Sequence, residues 1–234
     1  MRDTALKVLA VVPARGGSKS VPRKNITLLA GRPLICYTIE EAKRSASIDR
    51  LVVSTDAEDI AAIARECGAE VIMRPPEFAT DTARTELALI HVCETLERTE
   101  DYRADIIVTL EPTSPLRSHA LIDECIQMFA LTDADSVLSV LETRECIGRI
   151  VAGRFEYLIQ EQPRRRQDRE PLYKETSTVY ATRADVLLKR RSVLGDRLYA
   201  VIANREEAID INTPLDFVIV EAVMRWKTQG GAGR

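Results

Sequence analysis

Histidine is nearly absent from this chain. His91 and His119 leave little scope for imidazole acid–base work, and no Ser/His/Asp set is visible. Five scattered cysteines without a CxxC pair exclude a zinc site of the usual spacing. Aromatic residues make up only 5%, and 33 basic residues against 36 acidic ones leave a net charge of −3. The chain therefore has neither the stacking platforms nor the basic footprint of a nucleic-acid binder. No apolar run approaches the ~20 residues of a membrane span. The apolar run from Leu6 ends at Pro13, so neither a leader nor a membrane segment is expected, and the chain is expected to be soluble and cytoplasmic. One absence is local. Between Asp3 and Glu40 there is no acidic residue, yet Lys7, Arg15, Lys19, Arg23, Lys24 and Arg32 fall there. Such a stretch is either an anion site or a solvated basic face, and composition leaves both open.

The 234 residues, 45% of them hydrophobic, suffice for one sizeable α/β domain with a small appendage. Apolar, β-branched runs at Leu6 to Val12, Leu51 to Ser54, Glu70 to Met73, Ile106 to Leu110 and Ser136 to Leu141 read as strands. Between them lie helical patterns. Pro33 opens one that runs to about Ala46. A second carries Ile60, Ile63, Ala64 and Cys67, with Thr55 or Asp56 as its cap and Gly68 as its stop. A third carries Leu89, Val92, Cys93 and Leu96. A fourth, capped by Ser118, carries Ile122, Cys125, Ile126 and Phe129. Cys67, Cys93 and Cys125 thus fall on apolar faces and read as buried thiols of a reducing compartment.

This alternation predicts a mostly parallel sheet covered on both sides, a three-layer, Rossmann-like α/β fold. The alternation breaks after Leu141. Residues 141–178 read as an inserted hairpin or arm, between a core of residues 1–140 and 179–228. Regularity returns near Val179, at Tyr199 to Ala203 and at Ala208 to Ile211. Thr213, Pro214 and Asp216 form a capping box that opens a last helix, with Leu215, Val218, Ile219, Ala222 and Trp226 expected inward. Residues 229–234 are expected to be a disordered tail. No internal repeat is present.

In open α/β sheets, ligands bind beyond the carboxyl ends of the strands. The loop after the first strand, Pro13 to Asn25, combines two glycines with Arg15, Lys19, Arg23 and Lys24, a composition suited to a polyphosphate. It is neither a Walker A loop nor a GxGxxG fingerprint, and a surface turn is the other reading. Asp210, Ile211 and Asn212 put two oxygen-bearing side chains on one side of an extended chain, as a hard cation requires, or form a turn before Thr213.

Five segments in order carry a resemblance: Ala14 to Asn25, Val53 to Asp56, Arg74 to Thr82, Leu110 to Arg117 and Ile209 to Thr213. With Gln167, Asp168 and Tyr180, they resemble the acylneuraminate cytidylyltransferases across nearly the whole chain. The resemblance implies a nucleotidyltransferase fold, a homodimer whose arm reaches the partner's site, CTP and a nonulosonic acid as substrates, and Mg²⁺ as cofactor. By position, Arg15, Lys19 and Lys24 would hold the triphosphate, beside the backbone of Ala14 and Gly16. Asn25, Arg74 and Thr85 would contact the nucleotide. Glu111, Thr113 and Ser114 would face the sugar, as would Lys174, either in its own protomer or across the dimer. Asp210 and Asn212 would hold the metal.

Departures from the family pattern fall at four places. Asn212 stands where aspartate is usual, Glu111 where glutamine is common, Thr176 and Ser177 where Asn-Gly precedes the tyrosine, and Ser20 where glycine is usual. The first weakens a metal ligand. The next two alter the sugar side, where an anion disfavours a nearby carboxylate but can accept from a hydroxyl or amine. Two alternatives follow: a GTP-using legionaminate-type synthetase, and a non-catalytic nucleotide-binding homologue.

Overall fold

A computed structural model describes residues 6–18 and 20–230. Eleven strands and six α-helices are formed by these residues. In chain order they are β1 (Val8–Pro13), β2 (Leu28–Leu29), β3 (Arg32–Pro33), α1 (Leu34–Arg44), β4 (Arg50–Thr55), α2 (Glu58–Glu66), β5 (Glu70–Met73), α3 (Thr85–Glu100), β6 (Ile106–Thr109), α4 (His119–Leu131), β7 (Ser136–Thr143), β8 (Gly148–Val151), β9 (Arg154–Tyr157), β10 (Leu172–Arg183), α5 (Ala184–Arg190), β11 (Leu198–Ile202) and α6 (Pro214–Thr228).

Seven strands form one sheet in the order β11-β7-β10-β6-β1-β4-β5. Only β10 is reversed; it pairs antiparallel with both β6 and β7. The continuous apolar strands explain the layering, because successive side chains of a strand point to opposite faces. On β1, Val8, Ala10 and Val12 pack with residues of α1, α2 and α4, while Leu9 and Val11 pack against α3 and Leu187 of α5. Ile106 and Val108 of β6 join the first cluster and Ile107 the second. Removing a large side chain of this kind from water stabilises the fold by about 1.5–3 kcal/mol.

The mostly parallel, three-layer expectation holds. The strands run through the expected arm boundaries: β7 continues to Thr143, and β10 begins at Leu172. Between them β8 and β9 form an isolated two-stranded hairpin that exposes Ile150 and Phe155.

Other expectations are corrected. Cys67 is not a free thiol: it is disulfide-bonded to Cys36 of α1, which the turn at the end of α2 brings within reach. Cys93 and Cys125 are free, and burial pushes both thiols up to about 12. The cap of α2 is Ala57, because Asp56 is turned toward the first loop instead. Residues 208–211 form a turn and extended segment, not a strand. The short helix α5 was not anticipated.

The inward face of α6 is also different. Val220 is buried, with Phe217, Val223 and Met224 packed beside it against Leu29, Leu34, Leu116 and Ile211. Leu215, Val218, Ile219, Ala222 and Trp226 face outward. The helix is apolar on most of its circumference, so periodicity alone does not choose a side. The capping box at Thr213 and Asp216 fixes its phase. Of the expected tail, Gln229 caps α6, and residues 231–234 lie outside the described residues.

Candidate active site

Because β6, β1, β4 and β5 are parallel neighbours, their carboxyl ends share one edge of the sheet. The loops leaving them meet there. The reversed strand β10 enters from that same edge, where Tyr180 pairs with Thr109.

The first loop is held from beneath. Ala14 N–H donates to the Ser54 carbonyl at 2.9 Å, and Gly16 N–H donates to Asp56 Oδ1 at 2.9 Å. A Cβ at Gly16 would lie 2.9 Å from Ala57 Cβ, so glycine is needed for this close approach. Asn25 is buried and donates to the Arg15 carbonyl at 3.0 Å, bracing the loop from within. Arg15 reaches across to the Thr80 carbonyl at 2.9 Å and Asp81 Oδ1 at 3.0 Å. Lys19 lies outside the described residues. Arg23 and Arg32 pair with Asp59 and Glu40, and so belong to the surface. The cations of the acid-free stretch thus divide between cleft and solvent.

A cleft opens above this loop in two connected halves. The first, about 370 Å³, is lined by Arg15, Lys24, Arg74 and Arg84 against the carboxylates of Asp81 and Glu111. Asn25 and Thr85 also line it, and the N-terminus of α3 opens onto it, adding positive potential. The second half, about 400 Å³, is lined mainly by hydroxyl and amide groups, among them Thr109, Ser177, Tyr180 and Asn212. Lys24, Thr85, Glu111 and Thr113 line both.

Electrostatics follow from burial. Lys24 donates to the Ile211 carbonyl at 2.8 Å; desolvation lowers its pKa, and the charges of Asp210 and Glu111 oppose that. Arg74 is only 7% exposed, with Nε unpartnered, and burial lowers its pKa too. Desolvation pushes the Glu111 carboxyl up to about 7, assisted by Asp210 and opposed by Arg117, Arg74 and Lys24. Desolvation also raises Tyr180, as does its hydrogen bond to Glu175.

Arg117 was singled out by no role in the sequence. It is 2% exposed, and burial lowers its pKa to about 10. Its guanidinium donates to the Glu111 carbonyl at 2.6 Å, to Thr38 Oγ1 on α1 at 3.1 Å and to the Thr178 carbonyl on β10. One side chain therefore ties the β6 loop to α1 and to the reversed strand. Asp56, one of two candidate caps of α2 with Thr55, anchors Gly16 instead. No local signal marks it, since the two loops are set side by side only by the pairing of Pro13 with Ser54 in the sheet. Ser177, which replaces part of the expected Asn-Gly, lines the second half directly.

The remaining expected residues are placed as follows. Ser114 is buried, with its Oγ unpartnered. The Thr113 carbonyl accepts from Ile211 N–H at 2.8 Å, joining the β6 loop to the 210–212 segment. Asp210 has one buried, unpartnered oxygen, Oδ1, and its Oδ2 accepts from Asn212 Nδ2 at 2.7 Å. Among the described residues, no cluster of three or more His, Cys, Asp or Glu side chains could hold a metal. A single open carboxylate oxygen suits Mg²⁺, which binds through one or two carboxylates plus substrate phosphates. Lys174 is exposed on β10 and is not among the residues lining either half.

Residues 9–214 match the family described as cytidylyltransferase. The chain is 32% identical over 222 residues to an N-acylneuraminate cytidylyltransferase of Streptococcus agalactiae, covering 92% of this chain and 52% of that protein. It is likewise 32% identical over 229 residues to a CMP-N,N'-diacetyllegionaminic acid synthase of Legionella pneumophila, covering 94% and 97%. The chain thus spans about half the length of the N-acylneuraminate cytidylyltransferases it matches and nearly all of the Legionella protein. A solved CMP:2-keto-3-deoxy-manno-octonic acid synthetase complexed with CTP shares the fold, with a TM-score of 0.70 at 21% identity, over 94% of this chain and 99% of that one.

Proposed function

Because the chain belongs to the acylneuraminate cytidylyltransferase family, we propose that it transfers CMP from CTP to a nonulosonic acid and releases pyrophosphate. The observation that carries this reading is the two-part cleft. A cation-walled half adjoins a hydroxyl-lined half at Lys24, Glu111 and Thr113. Phosphoryl transfer needs reactants held in line and developing charge neutralised, more than covalent catalysis. Arg15 can fork two phosphate oxygens once released from Thr80 and Asp81, while Lys24 and Lys19 act as point charges. Asn25, Arg74 and Thr85 hold the nucleoside side, and Thr113 and Ser114 the sugar.

Mg²⁺ is the cofactor of this reading. Asp210 supplies its carboxylate, and Asn212 steadies that carboxylate through its amide. When bound, the ion would neutralise charge on the triphosphate. The exposed apolar side chains Ile150, Phe155 and Leu158 near the hairpin favour a homodimer in which the arm, with Lys174, reaches the partner's cleft. No described helix is long and apolar enough to cross a membrane. The proposed location is the cytoplasm.

The test is pyrophosphate release for CTP and GTP against a panel of nonulosonic acids, with and without Mg²⁺. Turnover is expected only when CTP, Mg²⁺ and one such acid are combined. Turnover with GTP alone would move the reading to a guanylyltransferase. Nucleotide binding without turnover would leave a binding protein.

A further inference from the structure

Cys36 and Cys67 are joined by a disulfide that the proposed transfer does not use. It links the two helices that hold the first loop. The front of that loop sits on the start of α2. Gly16 N–H donates to Asp56 Oδ1 at 2.9 Å, and a Cβ at Gly16 would meet Ala57, the cap of α2. Farther along the loop, Arg23 pairs with Asp59 in the first turn of α2. The back of the loop is tied to α1. The β2–β3 hairpin returns the chain so that Leu34 N–H, at the start of α1, donates to the Thr27 carbonyl at 3.0 Å, just past Lys24 and Asn25. With 9 residues, α2 is about 13 Å long and moves as one rod. Its far end is capped by Cys67, while Cys36 lies in the first turn of α1. The disulfide therefore fixes the spacing of the two supports of the loop that carries Arg15 and Lys24. Without it, α2 keeps its apolar packing through Ile60 and Ala64, and one exposed contact from Lys43 Nζ to the Cys67 carbonyl at 3.3 Å.

We propose that the Cys36–Cys67 pair is a redox switch on the nucleotide affinity of the first loop, an assignment that rests on the reading of that loop as the triphosphate site. The oxidised pair holds the tight-binding form, and a dithiol opens it. The two sulfurs are not equivalent. Cys67 is half-buried, whereas Cys36 is 4% exposed and lies where free N–H groups and the helix dipole favour negative charge. Attack thus falls on Cys67, and Cys36 is the leaving group. A thiolate of the dithiol bonds to Cys67 Sγ, the Cys36–Cys67 bond breaks, and Cys36 leaves with the electron pair and takes a proton from water. The second thiol of the dithiol, as thiolate, then attacks its partner sulfur in the mixed disulfide, and Cys67 leaves in the same way. The protein pair has gained two electrons and two protons, and the dithiol is oxidised to its own disulfide. Where a thiol pool has access, such a bond is exchanged instead of permanent.

The experiment is CTP binding by calorimetry in the presence of Mg²⁺, on wild type treated with oxidised dithiothreitol and on the same protein reduced with dithiothreitol, both well below the melting temperature of the reduced form. Thiol counts after denaturation identify the two states: three for the oxidised chain, from Cys93, Cys125 and Cys146, and five for the reduced one. The oxidised form is expected to bind CTP at least about 5-fold more tightly, the lower end of ordinary coupling between sites. Cys36→Ser and Cys67→Ser should bind as the reduced form does, with or without oxidant, and reoxidation should restore tight binding in wild type alone. Steady-state pyrophosphate release separates a switch from general loosening. The CTP KM should follow the redox state and the acceptor KM should not, because Arg117 ties the hydroxyl-lined half independently. Equal CTP affinity in the two states, or tighter binding by the reduced one, overturns the proposal. So does a count of five thiols after oxidation, or an equal shift in both KM values. If neither state binds CTP, the nucleotide reading itself fails, and the switch falls with it.

Discussion

The two halves of the cleft are built by different means. In the cation-walled half, backbone groups of one short loop are pinned by Ser54 and Asp56 at the end of the parallel neighbour β4, and Arg74 N–H in turn donates to the Thr55 carbonyl. In the hydroxyl-lined half, segments far apart in the chain are drawn together by a buried guanidinium and by the reversed strand β10. The first half depends on local chain geometry, with glycine where a Cβ cannot fit. The second depends on satisfying buried polar groups, and is correspondingly sensitive to losing a single donor.

Removing that donor should break the comparison most severely. Arg117→Ala removes the buried guanidinium that donates to the Glu111 and Thr178 carbonyls and should cost about 3–5 kcal/mol in urea unfolding. In whatever fraction stays folded, acceptor KM should rise more than CTP KM. Equal effects on both would show that the halves are not separately held. Next in size is the bond joining α1 and α2 behind the cation-walled half. Closing a loop over a sequence separation of 31 residues should stabilise by about 3–4 kcal/mol on the chain-entropy view. Cys67→Ser, or reductant with wild type, should lower the urea midpoint accordingly, and an unchanged midpoint would mean that the pair rests reduced in solution.

A titration contrast comes third. The unfolded Glu111 carboxyl ionises near 4.5, whereas the folded one is raised to about 7. Its contribution to stability is therefore present below pH 4.5 and lost as pH rises through 7. Relative to wild type, Glu111→Gln should gain on the order of 3 kcal/mol between pH 4.5 and 8.5. A flat difference across that range would refute the uncompensated carboxyl. In the cation-walled half, Gly16→Ala should cost about 1–2 kcal/mol through the clash with Ala57. Gly17→Ala, with no atom within 4 Å of its Cβ, should stay within about 0.5 kcal/mol by thermal melting. The smallest effect is expected on the outer face of α6. Trp226→Ala should change monomer stability by no more than about 0.5 kcal/mol, against roughly 1.5–3 kcal/mol for Val220→Ala. A large loss for Trp226→Ala would show that the outer face is covered in solution.

Much of the cation-walled half was legible in the sequence. Continuous β-branched runs place strands, and a basic Gly-rich loop after the first of them predicts an anion site at the carboxyl edge, where Arg15, Lys24 and Arg74 line one cavity. The hydroxyl-lined half was legible only through resemblance. Thr113 and Ser114 carry no chemical signature of their own, and the partners of Arg117 are 6, 61 and 79 residues distant. The long β10, entering the sheet backwards, is not implied by any local pattern.

By itself, the sequence determined the layers and the order of the βα units, because period and apolar continuity are properties of neighbouring residues. It also determined the cation-rich first loop and the capped start of α6. Tertiary structure alone decided which side of that apolar helix turned inward, that Cys36 and Cys67 meet, and that Asp56 serves Gly16 instead of α2. It also decided that the Glu111 carboxyl is raised to about 7. Each of these is a contact or a desolvation across a long stretch of chain, set by where the sheet brings segments together and invisible to any window along it.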